Sequence, residues 1–316
     1  ELKMNGAQVL MSSASAAGID VCFSNPGTTE LAMIEALDKN KTIRPVLSLF
    51  EGVCSGAADG FGRMLGRPAM TLLHLGPGFA NAIANLHNAR RAHSPILNII
   101  GDHATWHVDY DPPLASDIAS LAQPVSDWFA YTSSADDCTI KINEGLEVCA
   151  TAPGKISTLV VPTDVQEAKS RISDGNKPND FQPNWKFSGK KVEQLAKRLS
   201  DTNGEVIILL GTKALTEQGQ NAAHRVAVKL NAKIYAETFP ARWDRGAHIP
   251  VPERFPYFPE IGLEVLKNAK TIILVGVKAP VAYFGVTGVP SKLFPEDAIY
   301  ELASVAEDAE GAIVSV

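Results

Sequence analysis

The stretch Pro45-Val46-Leu47-Ser48-Leu49-Phe50-Glu51-Gly52 decides how this chain is read. An apolar run of that length, uncharged until its end, predicts a strand, and a carboxylate and a glycine then stand where the chain turns into its next element. From about Gly52 to Leu65 the sequence predicts a helix. The same order recurs on both sides. Asn5-Gly6-Ala7-Gln8 resembles a capping box, opening a helix that Gly18 closes before the apolar run Val21-Cys22-Phe23. Ala69–His74 is a third strand, broken by Gly76-Pro77-Gly78 ahead of a helix rich in alanine and asparagine. Pro95–Ile100 and Ile156–Val161 complete the set. Near-continuous apolar strands alternating with helices predict an α/β fold, a parallel sheet covered on both faces.

From Lys169 to about Lys190 the chain turns polar, with Asp174-Gly175-Asn176-Lys177-Pro178-Asn179 and few aliphatics, the composition of an interdomain linker. Beyond it the alternation resumes. A helix is expected from about Val192, strands at Val206–Leu210, Lys233–Tyr235 and Thr271–Val275, and helices through Ala222–Leu230 and near Leu263. The expectation is two doubly wound parallel-sheet domains, 4–168 and 191–316, joined by a linker at 169–190. The residues before Val316 read as a weakly structured stretch of alanine and acid.

At 316 residues, with 45% hydrophobic and 20% charged content, the composition is that of a soluble globular protein of about two domains. A net charge of −6 gives no basic footprint for nucleic acid or an anionic membrane. No apolar run reaches the roughly 18 residues of a membrane span, and the N-terminal residues lack the layout of a secretory signal. The four cysteines show no CxxC pairing and sit among apolar neighbours. Buried thiols in a reducing, cytoplasmic setting are expected, not disulfides or zinc. Gly60-Phe61-Gly62-Arg63-Met64-Leu65-Gly66 mimics a dinucleotide loop, but it falls within a helix with the wrong last spacing, which argues against a nicotinamide enzyme.

In open parallel sheets, ligands bind beyond the C-terminal ends of the strands. Three loops at such ends carry unusual residues: Ser24-Asn25-Pro26-Gly27-Thr28-Thr29-Glu30, Phe50-Glu51-Gly52, and His74-Leu75-Gly76-Pro77-Gly78-Phe79-Ala80-Asn81. Together they would gather a carboxylate, a histidine, hydroxyls and tight glycine turns on one edge.

The order of these motifs resembles that of the thiamine-diphosphate-dependent decarboxylase and acetolactate synthase superfamily. The Asn25-Pro26-Gly27 loop comes first. Glu51 follows, ahead of Gly52 and Ala57-Ala58-Asp59-Gly60, and Gly76-Pro77-Gly78 with Asn81 comes after. Val161-Pro162-Thr163-Asp164-Val165-Gln166 is similar to that family's closing strand of its pyrimidine-binding domain. The likeness is strong over 4–168 and rests on order and length beyond. It implies thiamine diphosphate as cofactor, with the Glu51 carboxylate hydrogen-bonded to the pyrimidine and enclosed by Phe50 and Val53. Pro26, Gly27, Gly76, Pro77 and Asn81 would line the cofactor. Thr28 and His74 stand where benzoylformate decarboxylase-like members place a serine and a histidine facing the substrate. Asp102-His103 replaces the Gly-Gln of many relatives, which puts His103, and His107 nearby, at the substrate entrance.

Each assignment has a plainer counterpart. Glu51 is also a good helix-entry residue, Thr28 a turn former, His74 a packed strand-end histidine, His103 and His107 exposed loop histidines, and Gly76-Pro77-Gly78 a strand-to-helix turn. The family's Gly-Asp-Gly…Asn-Asn motif, which holds magnesium and the diphosphate, is missing. Only Gly101-Asp102-His103 comes near it, so no metal ligand is assigned. The resemblance places magnesium on a further domain, in a homodimer or homotetramer or on another chain. Gly211-Thr212-Lys213 and Phe239-Pro240-Ala241-Arg242 give no adenine or phosphate pattern, so FAD is not expected. The implied activity is decarboxylation of a 2-oxo acid with ligation or release of the product, in the manner of an acetolactate synthase. The alternatives are a benzoylformate decarboxylase-like lyase and a non-catalytic assembly subunit.

Overall fold

The computed structural model describes residues 4–172 and 183–316. The linker motif Asp174–Asn179 lies outside the described residues. Contacts divide the chain into two compact units between Asn184 and Trp185.

The first unit contains β1 (Val21–Asn25), β2 (Arg44–Leu47), β3 (Ala69–His74), β4 (Ile96–Asp102), β5 (Trp128–Tyr131) and β6 (Ile156–Pro162). They form one six-stranded sheet in the order β2-β1-β3-β4-β6-β5, parallel throughout. Neighbouring residues of the central strands point to opposite faces, as a period of two requires. Leu72, Ile99 and Leu159 join the helical residues Leu10, Met11 and Ile142 on one face. Leu73, Ile100 and Val160 join Ala58, Phe79 and Leu86 on the other. A polar ladder crosses this interior at matched register: Thr71 Oγ1 donates to Asn98 Oδ1 at 2.8 Å, and Asn98 Nδ2 to Thr158 Oγ1 at 3.1 Å. A slip of one residue would break both bonds and turn every side chain to the wrong face.

The second unit contains β7 (Glu205–Leu210), β8 (Lys233–Ala236), β9 (Glu253–Arg254), β10 (Ala269–Val275) and β11 (Ile299–Ala303). These form a five-stranded parallel sheet in the order β11-β10-β7-β8-β9. The first sheet reverses direction after β2 and again after β5, and the second reverses once, after β9. The chain steps from β1 out to β2 and returns to β3 on the far side of β1, and likewise from β7 through β8 and β9 back to β10.

The two doubly wound sheets expected from sequence are present, and several details differ. β2 stops at Leu47 instead of Phe50: Leu49 is 95% exposed, so nothing covers the tail of that apolar run. The aromatic edge strand β5 has no counterpart in the sequence reading, being four residues long with no clean alternation. The C-terminal stretch is ordered. It forms β11 and the helix Ala309–Val314, whose alanines pack inward and whose N-terminus is capped by Asp308 accepting from Gly311 N–H. The helix Gly189–Asp201 starts inside the polar segment, on a Ser188 cap. The capping box at Asn5 and Gln8 forms both of its hydrogen bonds at 2.9 Å. All four cysteines are buried free thiols, and burial pushes Cys138 and Cys149 up to about 12. Gly60–Leu65 lies inside the helix Glu51–Leu65, where Gly62 allows close approach to the Pro95 carbonyl.

Candidate active site

β1 and β3 are neighbours whose following segments depart to opposite sides, so a crevice opens beyond their C-terminal ends. After β1 the chain passes Pro26 and Gly27 into a single tight turn, Thr28–Glu30. After β3 it reverses at Leu75, which takes a left-handed φ of +52°. That conformation is strained for a branched residue and is retained where surroundings enforce it. Gly76-Pro77-Gly78 therefore does not separate strand from helix, as the sequence suggested; it forms the first turn of the helix Leu75–Ala92.

The glycines here serve close approach. A Cβ on Gly78 would lie 2.9 Å from Glu51 Oε1, and one on Gly76 would lie 2.2 Å from the Ser116 Cβ. A Cβ on Gly27 would run into the His74 imidazole at 2.4 Å.

Glu51 opens its helix and is buried. Asn81 Nδ2 donates to its Oε2 at 3.0 Å, which holds one carboxylate oxygen and leaves Oε1 beside Gly78. Phe50 and Val53, expected to enclose it, are 48% and 55% exposed. The Phe50 ring folds back over Gly52, and the enclosure within this chain comes from Gly78 and Asn81 instead.

His74 is held by a residue the sequence reading quoted but gave no role. The Glu30 carboxylate is fully buried and accepts three hydrogen bonds. Gly27 N–H donates to Oε2 at 2.7 Å, Thr29 Oγ1 to Oε1 at 2.7 Å, and His74 Nδ1 lies 2.8 Å from Oε2. Facing a carboxylate that already accepts from Gly27 and Thr29, Nδ1 is the donor of this pair, and Nε2 is left uncommitted by it. His74 is 25% exposed, which leaves that nitrogen reachable. Gly101 in β4 closes the back wall, where a Cβ would lie 2.0 Å from Glu30 Oε1. Thr28 is exposed, and it is Thr29 whose hydroxyl enters the dyad. The Gly27-x-x-Glu30 spacing is the available sequence signal for Glu30, since an N-terminal carboxylate three residues on can reach back to a backbone N–H. Nothing in that spacing signals burial.

His103 lies in a separate cavity of about 640 Å³ beyond β4, β5 and β6, with Asp102, Thr105, Asp117, Tyr131 and Thr132 among its lining. Its Nε2 is buried without a hydrogen-bond partner among the described residues. His107 is no free loop histidine: its ring centroid lies 5.5 Å from that of Trp106 and 6.0 Å from those of His103 and Tyr110. Burial holds the Asp102 carboxyl above the usual carboxylate range. Burial first, then Asp102 and Asp117, push the Tyr131 phenol up to about 12. The cavity lining contains neither lysine nor arginine. Among the described residues, no group of three or more His, Cys, Asp or Glu side chains is placed to hold a metal ion, and no helix is long and apolar enough to cross a membrane.

Residues 4–123 match the model of the thiamine pyrophosphate enzyme N-terminal TPP binding domain. Over 294 residues the chain is 41% identical to a Mycobacterium tuberculosis protein named "Putative acetolactate synthase large subunit IlvX", which covers 92% of this chain and 56% of that one. The chain belongs to the thiamine-diphosphate-dependent 2-oxo-acid decarboxylase and acetolactate synthase superfamily. It is 27% identical over 279 residues to the benzoylformate decarboxylase of Pseudomonas aeruginosa, over 84% of this chain and 50% of that one. The fold is shared with a thiamine diphosphate-dependent 4-hydroxybenzoylformate decarboxylase of Rhodococcus jostii RHA1, at a TM-score of 0.83 and 21% identity, over 98% of this chain and 61% of that one. The chain thus spans about half the length of the curated relatives it matches.

The residues of the crevice fit the cofactor named by that domain. A buried carboxylate with one oxygen fixed and the other facing a glycine is suited to a single directional hydrogen bond to a ring nitrogen. Glycine at 78 lets the helix approach that carboxylate without a side chain covering Oε1.

Proposed function

We propose that this chain supplies the pyrimidine-binding half of an active site that decarboxylates a 2-oxo acid and ligates the product to a second carbonyl compound, as an acetolactate synthase does. The observation that carries the reading is the Glu51 carboxylate, pinned by Asn81 at 3.0 Å beside Gly78, in the crevice that also exposes His74. Thiamine diphosphate, when bound, supplies the electron sink for loss of carbon dioxide. Glu51 would hold the pyrimidine through Oε1 and exchange a proton with it, in a pocket drained of water by Gly78 and its helix. Pro26, Gly27, Gly76, Pro77 and Asn81 would form the walls. His74, its Nδ1 committed to Glu30, would hold or release a proton at Nε2 opposite the substrate oxygen. Thr28, at the rim, would meet the substrate carboxylate, and His103 would line the approach.

Magnesium and the diphosphate are assigned to a further domain, in a homodimer or homotetramer or on another chain. The exposed Leu47, Leu49, Phe50 and Val53 beside Glu51 support a covering partner, because a monomer rarely leaves so many large apolar side chains together in water.

Acetolactate-type chemistry is favoured by the 41% identity over 294 residues to the Mycobacterium tuberculosis protein named as a putative acetolactate synthase large subunit. His74 favours the second reading, lysis of a benzoylformate-type acid. The test is carbon dioxide release by the complete enzyme, with thiamine diphosphate and magnesium, from pyruvate and from benzoylformate in turn. Turnover of pyruvate with formation of a carbon–carbon bonded product is expected. Turnover of benzoylformate to free aldehyde alone establishes the second reading. Absence of turnover on any 2-oxo acid leaves the assembly-subunit role.

A further inference from the structure

The segment Val161–Gln166 entered the sequence reading as a closing strand, and no step assigned above uses its last residue. Gln166 sits in the short helix Thr163–Glu167 after β6 and has no exposed surface. Its Nε2 donates at 2.8 Å to the Val161 carbonyl and at 2.8 Å to the carbonyl of Thr29, a residue 137 positions earlier. Two carbonyls demand a donor, so the orientation of the amide is set by its partners. The cost is visible on the other side, where Gln166 Oε1 is buried with no partner among the described residues. A fold rarely keeps an unpaired buried acceptor without a use for the group that carries it.

The residue tied down is the one that organises the dyad. The Thr29 carbonyl accepts from Gln166, and its hydroxyl donates to Glu30 Oε1 at 2.7 Å and lies 3.3 Å from His74 Nδ1. Glu30 in turn accepts from Gly27 N–H and His74 Nδ1 through its other oxygen. We infer that Gln166 is a positioning residue: by clamping the Thr29 peptide it fixes the Thr28–Glu30 turn, and through Glu30 it sets the tautomer and aim of the His74 imidazole.

Glutamate at 166 would oppose two carbonyls with a group that only accepts, and methionine would fill the same space with no donor. The second unit provides a control, a buried glutamine that also clamps backbone carbonyls but whose Oε1 is paired, accepting from Trp243 Nε1. Gln220 is buried, and its Nε2 donates to the carbonyls of Leu215, Thr216 and Asp244.

The experiment is NMR of the full chain with ring-15N-labelled histidine, comparing the wild type with Gln166→Met and Gln220→Met. The wild type is expected to show His74 as the Nδ1–H tautomer with a protected, hydrogen-bonded proton. Gln166→Met should give a tautomer mixture and Nδ1 proton exchange faster by about tenfold or more. Gln220→Met should lose stability and leave the His74 signals unmoved. If Gln166→Met does not fold, Gln166→Asn withdraws the amide by one carbon and should shift His74 in the same direction. Unchanged His74 signals in every folded position-166 variant overturn the inference, as does an equal change in Gln220→Met.

The kinetic consequence rests on the function proposed above. In the complete enzyme, Gln166→Met should lower kcat by about tenfold and change KM less. A shifted tautomer with unchanged kcat would refute the proton-shuttling role of His74 and leave the Gln166 link standing.

Discussion

Both sheets reverse strand order around their first strand, between β1 and β3 in one and between β7 and β10 in the other, and these two reversals are filled in opposite ways. Between β1 and β3 the segments part around a buried carboxylate at Glu30, a second at Glu51 and a reachable imidazole at His74. Between β7 and β10 they close on each other: a Cβ on Gly211 would lie 1.9 Å from the Gly276 carbonyl oxygen. The nearby Glu237 accepts at Oε1 from Thr212 N–H at 2.9 Å and from the Thr212 hydroxyl at 3.2 Å. Lys213 lies with its Nζ 4.1 Å above the Trp185 ring, and burial holds its ammonium below the usual lysine value. Topology offers the same crevice twice. The first presents a carboxylate oxygen and an imidazole together, whereas the second is narrowed by backbone contact, so side chains and not topology distinguish the two.

The strongest way to break this comparison is to remove the acid from each crevice. In the complete enzyme, Glu51→Gln should lower carbon dioxide release by about 10²- to 10⁴-fold, the range of a lost general acid–base group. Glu237→Gln should alter turnover by less than about threefold and act on stability alone. Undiminished turnover in Glu51→Gln removes the assigned role, and a large kinetic loss in Glu237→Gln would erase the contrast between the sheets.

The glycines give a second comparison. Gly27→Ala drives a methyl group into the imidazole, a side chain free to yield, so His74 should move off line. The expected cost is about 10²-fold in kcat, with the second unit unaffected. Gly211→Ala drives a methyl group into a backbone carbonyl that cannot yield. It should destabilise the second unit by about 1–3 kcal/mol or more, seen as an earlier thermal transition. If Gly211→Ala is as stable as the wild type, the second crevice is less closed than its backbone indicates.

These positions also show what the sequence could tell. The parallel sheets were legible because Ala69–His74, Ile96–Ile100 and Ile156–Val161 are apolar runs that only a sheet buried on both faces accommodates. That Glu51, His74 and Asn81 lie close together was legible from the order of the glycine motifs at successive strand ends. The loss of β2 beyond Leu47 and the helix at Ala309–Val314 were not, because both depend on what covers an apolar or alanine-rich run, and cover is a tertiary property. Glu30 and Gln166 were missed for a related reason. Each is an ordinary polar residue whose importance arises from contacts with segments far along the chain.

A smaller test compares two threonines with matched duties. Thr29 and Thr212 each offer a hydroxyl to a glutamate, fully buried Glu30 at 2.7 Å and half-buried Glu237 at 3.2 Å. Thr29→Val should lower kcat by about tenfold, the equivalent of one hydrogen bond to a charged group. Thr212→Val also takes away the acceptor for Ala241 N–H. It should cost about 1–2 kcal/mol of stability in the second unit, with kcat preserved. Equal kinetic losses in the two variants would mean that the second crevice contributes to turnover.

The finest distinction is in pH. Burial raises the Glu237 carboxyl above the ordinary glutamate value of 4.5, against the opposing pull of Thr212. The folded state therefore binds that proton more tightly than the unfolded state does. The stability it lends is fully present below the ordinary value and is lost as pH rises through the folded value. Asp20 in the first unit has the opposite sign, because its hydrogen bond to the Arg67 guanidinium holds its carboxyl below the ordinary aspartate value. Its contribution is present above that ordinary value and is lost as pH falls through the depressed one. Thermal unfolding of Glu237→Gln and Asp20→Asn, each against the wild type between about pH 3 and pH 7, should show these opposed slopes. The Glu237→Gln variant should gain on the wild type as pH rises. The Asp20→Asn variant should gain as pH falls. Parallel curves for Glu237→Gln and the wild type would mean that solvent reaches the carboxylate, and that the second crevice is open after all.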